Sequence, residues 1–252
     1  MKTSEVIAAL DLPDGARVDR RVPKKLMLEN GAPTAADKRH INDGIEEIFW
    51  VAALKPTTIG VQEYRDTLRE YLEIAVLLLT LRTGAKVVRV TELVHRAVPY
   101  PTFLVTEHAA RPSVSVVHKR WSQGEAGKTV LDGEVVAAEW DNALDADRRR
   151  AFRDALALGN QPRTTLYALY QGWIDTLLTL QAARVTGTFA TPNSTEHAAA
   201  RHEALQEYQR LEAQIAALRA VAAKETQLPR RVELNLELKR LQSTQSAARA
   251  KL

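Results

Sequence analysis

An apolar repeat near the end of the chain restricts the fold most, because only packed helices can bury it. Between Ala204 and Ala222, apolar residues recur at alternating spacings of four and three, as in a helix with one apolar seam. The pattern resumes at Leu234 after "TQLPRR", where Pro229 predicts a turn at Leu228–Arg231. The seam positions are Ala204, Tyr208, Leu211, Ile215, Leu218 and Ala222, then Leu234, Leu238, Leu241, Gln245 and Ala248. Residues 195–252 are therefore predicted to form an antiparallel helical hairpin.

Two such seams allow two different uses. They can pack on each other, or they can receive a helix from a partner protein. If a partner is received, the partner-binding residues are Tyr208, Leu211, Ile215, Leu218, Leu234, Leu238 and Leu241. The sequence leaves both uses open.

Residues 1–186 combine strand and helix patterns, which predicts a separate α+β domain. The run "EYLEIAVLLLTLRTG" has a middle that is apolar on both faces, and it predicts a central strand that Gly84 closes. "PTFLVTEH" and "PSVSVVHK" predict an antiparallel pair, and "TTIGV" a short strand. "TVLDGEVVAAEW" continues the strand character, with a turn signal at Asp132-Gly133.

Helical patterns flank these predicted strands. Thr34 and Asp37 form a capping box for a helix that is predicted to end before Pro56. Its apolar positions are Ile41, Ile45, Ile48 and Ala52. Further helices are predicted over "VVRVTELVHRAVP", from Ala146 to Leu158 after an Asp145 cap, and from Pro162 to Val185, with a linker at Thr186–Ser194. The expected fold is a mixed, largely antiparallel sheet covered by helices, with domains at 1–186 and 195–252.

Composition excludes several classes of site. The chain contains no cysteine, so disulfides, thiolate metal ligands and cysteine nucleophiles are absent. The longest apolar run, "IAVLLLTL", is too short to span a bilayer, and Glu5 and Asp11 argue against a signal peptide. We therefore expect a cytoplasmic protein with no membrane contact, no cofactor and no metal. The net charge of +4 permits contact with nucleic acid without requiring it.

The segment "SQGEAGKT" differs from a phosphate-binding loop at one position. Gly127, Lys128 and Thr129 match the end of that motif, but Ser122 replaces its first glycine. A working loop is followed directly by a helix, whose free N–H groups hold the phosphate. The residues that follow here, "VLDGEVVAAEW", predict a strand, so we expect a connection between strands with Lys128 at the surface.

A divergent metal-dependent nuclease is the alternative function that the sequence offers. Such a core needs one acid and then an acid-x-Lys on a neighbouring strand, to hold a divalent ion. Glu73, Glu107 and Lys119 lie on predicted strands and are the candidate catalytic residues, but Val117 stands where the second acid belongs. The histidines in this region, His95, His108 and His118, have no metal-binding spacing.

Two basic stretches are candidates for nucleic-acid binding. One contains Arg17, Arg20, Arg21, Lys24 and Lys25, and the other contains Lys119 and Arg120 beside Trp121. Basic groups of this kind can neutralise phosphates. Clustered charges also occur as an ordinary solvated surface, so the pattern indicates a candidate interface only.

Three stretches together resemble the bacterial family called domain of unknown function 4391. They are "RVPKKLMLENGAPTAADKRHINDGIEEIFWVAALKPTTIGV", "ELVHRAVPYPTFLVTE" with "HKRW", and "KETQLPRRVELNLELKRL". The resemblance covers nearly the whole chain and implies a role beside helicases and methyltransferases of restriction-like phage-defence systems. It supplies no catalytic residues.

The patterns and the resemblance together favour a non-catalytic accessory subunit. We expect it to dock a helicase- or methyltransferase-type protein partner, with DNA as a further candidate ligand. The sequence gives no indication of the oligomeric state.

Overall fold

The computed structural model of the chain describes residues 3–140 and 145–252. The chain divides into two compact units, one ending at Leu177 and the other running from Leu178 to Leu252. This boundary falls within helix α7 (Leu166–Thr186), which contributes to both units. Throughout the described ranges, none of the helices combines the length and the apolar character that crossing a bilayer requires.

The first unit is built on a six-stranded mixed sheet. Its strands are β1 (Arg17–Arg21), β2 (Ile45–Leu54), β5 (Ile74–Leu81), β6 (Thr102–His108), β7 (Arg111–Trp121) and β8 (Thr129–Glu139), in that spatial order. A separate two-stranded ribbon is formed by β3 (Tyr64–Arg65) and β4 (Glu70–Tyr71). Strands β5 and β6 are parallel and are linked by α5 (Val87–Ala97), whereas the other neighbours are antiparallel. The predicted fold class and the central position of β5 are confirmed.

Helices cover both faces of this sheet. On one face, α2 (Lys24–Gly31), α3 (Ala35–Gly44) and α5 pack with Leu77, Leu79 and Leu104 in one apolar cluster. On the other face, Phe103 contacts Trp173 of α7 at a ring separation of 4.9 Å. Trp173 in turn donates to the carbonyl of Leu156, at the end of α6 (Ala146–Leu156). Phe103 and Leu104 are adjacent in β6 and pack against opposite helical layers, because successive side chains of a strand point to opposite faces of the sheet. The chain also begins its described part with α1 (Thr3–Ala9).

The helix predicted from Thr34 toward Pro56 is wrong in its second half. Thr34 does cap α3, since its Oγ1 accepts the Asp37 N–H at 3.1 Å, but α3 ends at Gly44. The following residues form β2, which pairs with β1 on one side and β5 on the other. Ile45 and Ile48 are fully buried in the same apolar cluster, because a register shift between Ile45 and Glu47 brings both side chains to one face of the sheet. Their spacing of three residues therefore reflects this irregularity of the strand and not the period of a helix.

Two shorter predictions also need correction. "TTIGV" is not a strand: Pro56–Ile59 form the single turn α4, which the left-handed Gly60 (φ +66°) ends. Asp132-Gly133 is not a turn, because β8 continues through it as a bulge. Between paired positions, β7 advances from Val116 to His118 while β8 moves from Val136 to Asp132. Gly133, at φ +89°, supplies the backbone conformation that this irregularity needs.

The remaining element predictions hold with shifted ends. The predicted helix over α5 and the antiparallel β6–β7 pair are confirmed, and Ala109 and Ala110 turn between those strands at positive φ. Asp145 caps α6 as predicted, since its side chain accepts the Arg148 N–H at 2.8 Å. Helix α7 starts at Leu166 rather than Pro162.

The second unit contains the predicted helical hairpin. Helices α8 (Thr195–Ala222) and α9 (Leu228–Arg249) pack along the heptad positions, and Leu211, Ile215 and Leu234 are 2%, 4% and 3% exposed. The turn is displaced from its predicted position at Leu228–Arg231 to residues 223–227. Pro229 lies in the first turn of α9, where its missing N–H breaks no helical hydrogen bond.

Candidate docking surface

The segment that resembles a phosphate loop connects β7 to β8. Lys128 lies at the surface and forms an ion pair with Glu125, three residues earlier. Thr129 already belongs to β8, so no helix N-terminus follows the Gly-Lys-Thr sequence. The segment therefore lacks the free N–H groups that hold a phosphate in a true loop of this type. This confirms the expected connection between strands.

The candidate catalytic acids lie far apart in the sheet. Glu107 on β6 is opposite Thr80 of β5, which is seven positions beyond Glu73. At 3.3 Å per residue this separation is about 23 Å. Glu73 is buried and pairs with Lys55 at 3.0 Å, and Glu107 accepts a hydrogen bond from Thr3. Across the described ranges no three His, Cys, Asp or Glu side chains are placed to hold a metal ion.

Lys119, the third candidate, is in the interior. It is only 3% exposed, and its ammonium donates to the carbonyls of His95 and Val98 at the end of α5. The carboxyl end of a helix favours a cation, but burial lowers the pKa of Lys119 to about 7. Lys119 thus holds α5 against β7 and is not available to a nucleic acid.

A polar network that the sequence did not indicate surrounds His118. Its Nε2 lies 2.7 Å from Gln171 Oε1, and its Nδ1 lies 2.5 Å from the Tyr71 hydroxyl. Because Gln171 donates its amide to Asp175 at 2.9 Å, its oxygen faces the histidine. His118 therefore donates from Nε2 and accepts at Nδ1. Both ring nitrogens are occupied, so neither is free to take a proton from a substrate.

The surroundings of this network support a structural role. Arg69 makes a two-pronged ion pair with Asp132 at 2.6 and 3.1 Å and lies 5.5 Å from the Tyr167 ring centre. The ring of Tyr167 also stacks on His118 at 5.0 Å. Burial lowers the pKa of His118, which favours its neutral form. The cluster joins the β3–β4 ribbon to β7, β8 and α7.

The candidate nucleic-acid residues on β1 and α2 are mostly paired. Arg21 contacts Glu47 at 3.1 Å, Lys25 contacts Glu29 at 3.6 Å and Arg17 contacts Asp19 at 4.0 Å. Lys24 donates to the carbonyl of Ile45. Arg120, from the second stretch, lies 3.6 Å from Asp132. Within the part of the chain that the structure describes, Arg20 alone among these residues has a side chain with no ion pair or hydrogen bond.

The hairpin exposes a second apolar face, which is the feature most suited to docking. Leu228, Val232 and Leu236 are 63%, 51% and 57% exposed and recur every four residues along α9. At 3.6 residues per turn, Val232 and Leu236 lie about 160° around the helix from the buried Leu234. We call these three residues the outer stripe.

The predicted partner-binding residues occupy the opposite face. The buried Leu211, Ile215 and Leu234, with the half-buried Tyr208, Leu218, Leu238 and Leu241, form the seam within the hairpin. The seam is thus packed inside the chain, and the outer stripe is the apolar face of α9 that stays exposed. The four-residue spacing of the stripe is visible in the sequence, but it is hidden beside the longer heptad pattern.

One comparison with known proteins gives a match. Residues 10–244 match the family described as Domain of unknown function (DUF4391). No curated protein and no solved structure matches the chain.

Proposed function

We propose that this chain, which belongs to the DUF4391 family, is a non-catalytic accessory subunit that docks a larger protein through the outer stripe of its hairpin. The exposure of Leu228, Val232 and Leu236 carries the proposal. The seam already holds the hairpin together, so these side chains are not needed to bury its core. Large apolar residues at regular spacing on the exposed, otherwise polar face of a helix suit a helix-sized groove of a partner.

The energetics support docking at this face. Full burial of one leucine or valine side chain contributes about 1.5–3 kcal/mol. Three such anchors can provide the central cluster of an interface, while the surrounding charged residues form its rim. Arg230 and Glu233, which pair at 2.7 Å, already lie beside the stripe.

The kind of partner is proposed from the family resemblance. It favours a helicase- or methyltransferase-type protein of a cytoplasmic, restriction-like phage-defence system. DNA is a further candidate ligand of such a complex.

Co-purification tests this function. The tagged chain is co-expressed with the helicase- or methyltransferase-type proteins encoded beside it. We expect the L228S/V232S/L236S variant to lose its partner, because serine removes the apolar anchors while leaving the seam intact. The R231S/N235S variant, changed at exposed polar positions of the same helix, should retain it. Equal recovery of partner with both variants would exclude the outer stripe as the docking surface.

A further inference from the structure

An apolar cavity of about 210 Å³ opens beside the basic stretch of the first unit. Helix α2, the end of α5 and strands β2 and β5 form it, and Leu26, Met27, Trp50, Leu77, Ala97 and Tyr100 are among its lining residues. Asn30, a polar residue of the wall, already donates to the carbonyl of Leu26 at 2.9 Å. Leu26 and Tyr100 are 45% and 39% exposed, so the cavity is open at these two side chains.

The size of the cavity restricts what can fill it. Sites for drug-sized molecules span about 300–1,000 Å³ and include several polar groups that orient the ligand. An apolar cavity of about 150 Å³ accepts a benzene-sized group. The present cavity therefore suits one large apolar side chain better than a whole metabolite.

The wall of the cavity is held in place before any ligand binds. The loop after α5 is fixed by the Lys119 ammonium, which donates to the Val98 carbonyl, and by Thr129, which donates to the Pro99 carbonyl at 3.1 Å. On the opposite side, Trp50 donates its indole N–H to the Ala52 carbonyl at 2.8 Å. A preformed pocket reduces the ordering cost of binding.

Positive charge lies directly beside the opening. Val22 and Leu26 line the cavity, and Arg20, Arg21, Lys24 and Lys25 flank them in sequence. Arg20 is the cross-strand partner of Trp50, so both side chains lie on the same face of the sheet. Arg21 pairs with Glu47, Lys25 pairs with Glu29, and Lys24 donates to the Ile45 carbonyl, so Arg20 supplies the cation that has no side-chain partner.

We infer that this cavity and Arg20 form a binding site for an acidic segment of a partner protein, which inserts one large apolar side chain and pairs a neighbouring carboxylate with Arg20. Duplex DNA matches the charge but has no apolar side chain for the cavity, and its bases carry polar edges that this wall does not satisfy. The site lies in the first unit and does not depend on the outer stripe of the hairpin.

Calorimetric titration of the full chain tests this inference. The probe is a synthetic peptide with one phenylalanine between acidic residues on each side, and the matched probe has alanine in place of phenylalanine. We expect the alanine peptide to bind at least about tenfold more weakly, because a buried aromatic anchor at the centre of an interface carries a large share of the affinity. Arg20→Glu should weaken the phenylalanine peptide to a similar extent, and Arg20→Lys much less.

Further variants distinguish the contribution of the cavity to affinity from the contribution of surface charge. Leu26→Glu places a carboxylate at the exposed edge of the opening and should also abolish tight binding. Arg150→Glu, at an exposed position of α6, is the charge-reversal control and should leave affinity unchanged. Near-UV circular dichroism confirms that each variant is folded. These substitutions are at exposed positions, so the fold should survive.

Three results would overturn the inference. The first is equal affinity for the phenylalanine and alanine peptides. The second is binding of phenylacetate without binding of the peptide, which would indicate a small-molecule site. The third is Arg20-dependent binding of a DNA duplex with no binding of either peptide. This result would indicate that the basic stretch binds nucleic acid and not an acidic protein segment.

Discussion

His95 and Lys119 are two titratable side chains that the fold buries beside one another. His95 is fully buried on α5 and lies 2.9 Å from Ser115 Oγ through Nε2, while its backbone carbonyl accepts from Lys119. Burial, and secondarily the nearby Lys119, lowers the pKa of His95 to about 3. Neither residue reaches the surface, so both act on stability rather than on a ligand.

Acid should therefore destabilise the first unit through His95. The pKa of a histidine in the unfolded chain is about 6.5, so the unfolded state binds a proton first as the pH falls. The stabilisation is complete above pH 6.5 and declines from there toward pH 3. Between pH 7 and pH 5 this loss is about 2 kcal/mol. We expect His95→Gln, which keeps a side chain able to bond Ser115, to reduce the difference in unfolding free energy between these pH values by that amount.

Urea denaturation at the two pH values, followed by tryptophan fluorescence, measures this difference. His40→Gln, at a half-buried position on α3, controls for the loss of one imidazole. An unchanged pH dependence in His95→Gln would show that His95 takes up a proton in the folded state.

At the scale of elements, the seam explains why the hairpin was predictable and β2 was not. In α8 and α9 a single face is buried, so the heptad spacing reports directly on packing. In β2 two register shifts interrupt the two-residue alternation, so Ile45, Ile48 and Ala52 match a helical period although they belong to a strand. Pairing with β1 and β5 decides the structure there, and those partners are remote in sequence.

The two candidate surfaces, the outer stripe and the cavity, also differ in whether the sequence alone could reveal them. The outer stripe lies within one helix and could have been found as a second four-residue period. The cavity could not, because its wall combines residues near positions 22–30, 50, 75–77 and 97–100. Likewise, only the sheet register shows that Glu73 and Glu107 are apart.

The hairpin should unfold locally when its seam is weakened. Truncation of a buried leucine to alanine costs about 2–5 kcal/mol. We therefore expect L211A/L234A to make residues 195–252 sensitive to protease while the sheet unit remains folded. Leu236→Ala, at an exposed position of the same helix, should leave the digestion rate unchanged. Mass spectrometry of limited digests identifies the cleaved segment. A digest like that of the unmodified chain would contradict the claim that packing along the seam stabilises the hairpin.

At the scale of the whole molecule, the structure places its two candidate interfaces on different compact units. The outer stripe belongs to the unit from Leu178 to Leu252, and the cavity with Arg20 belongs to the unit ending at Leu177. Variants of one surface leave the other unaltered. A partner could therefore be lost through one surface while peptide binding at the other persists.

Amide hydrogen–deuterium exchange on the purified complex tests the central claim most directly. Docking through the outer stripe should slow exchange in peptides that cover Val221 to Leu236, because a bound partner suppresses local opening of α9. Peptides that cover the β7–β8 connection at 122–128, where Lys128 lies, should exchange at the rate of the isolated chain. Unchanged exchange across Val221 to Leu236, with protection elsewhere in the chain, would contradict docking by the hairpin.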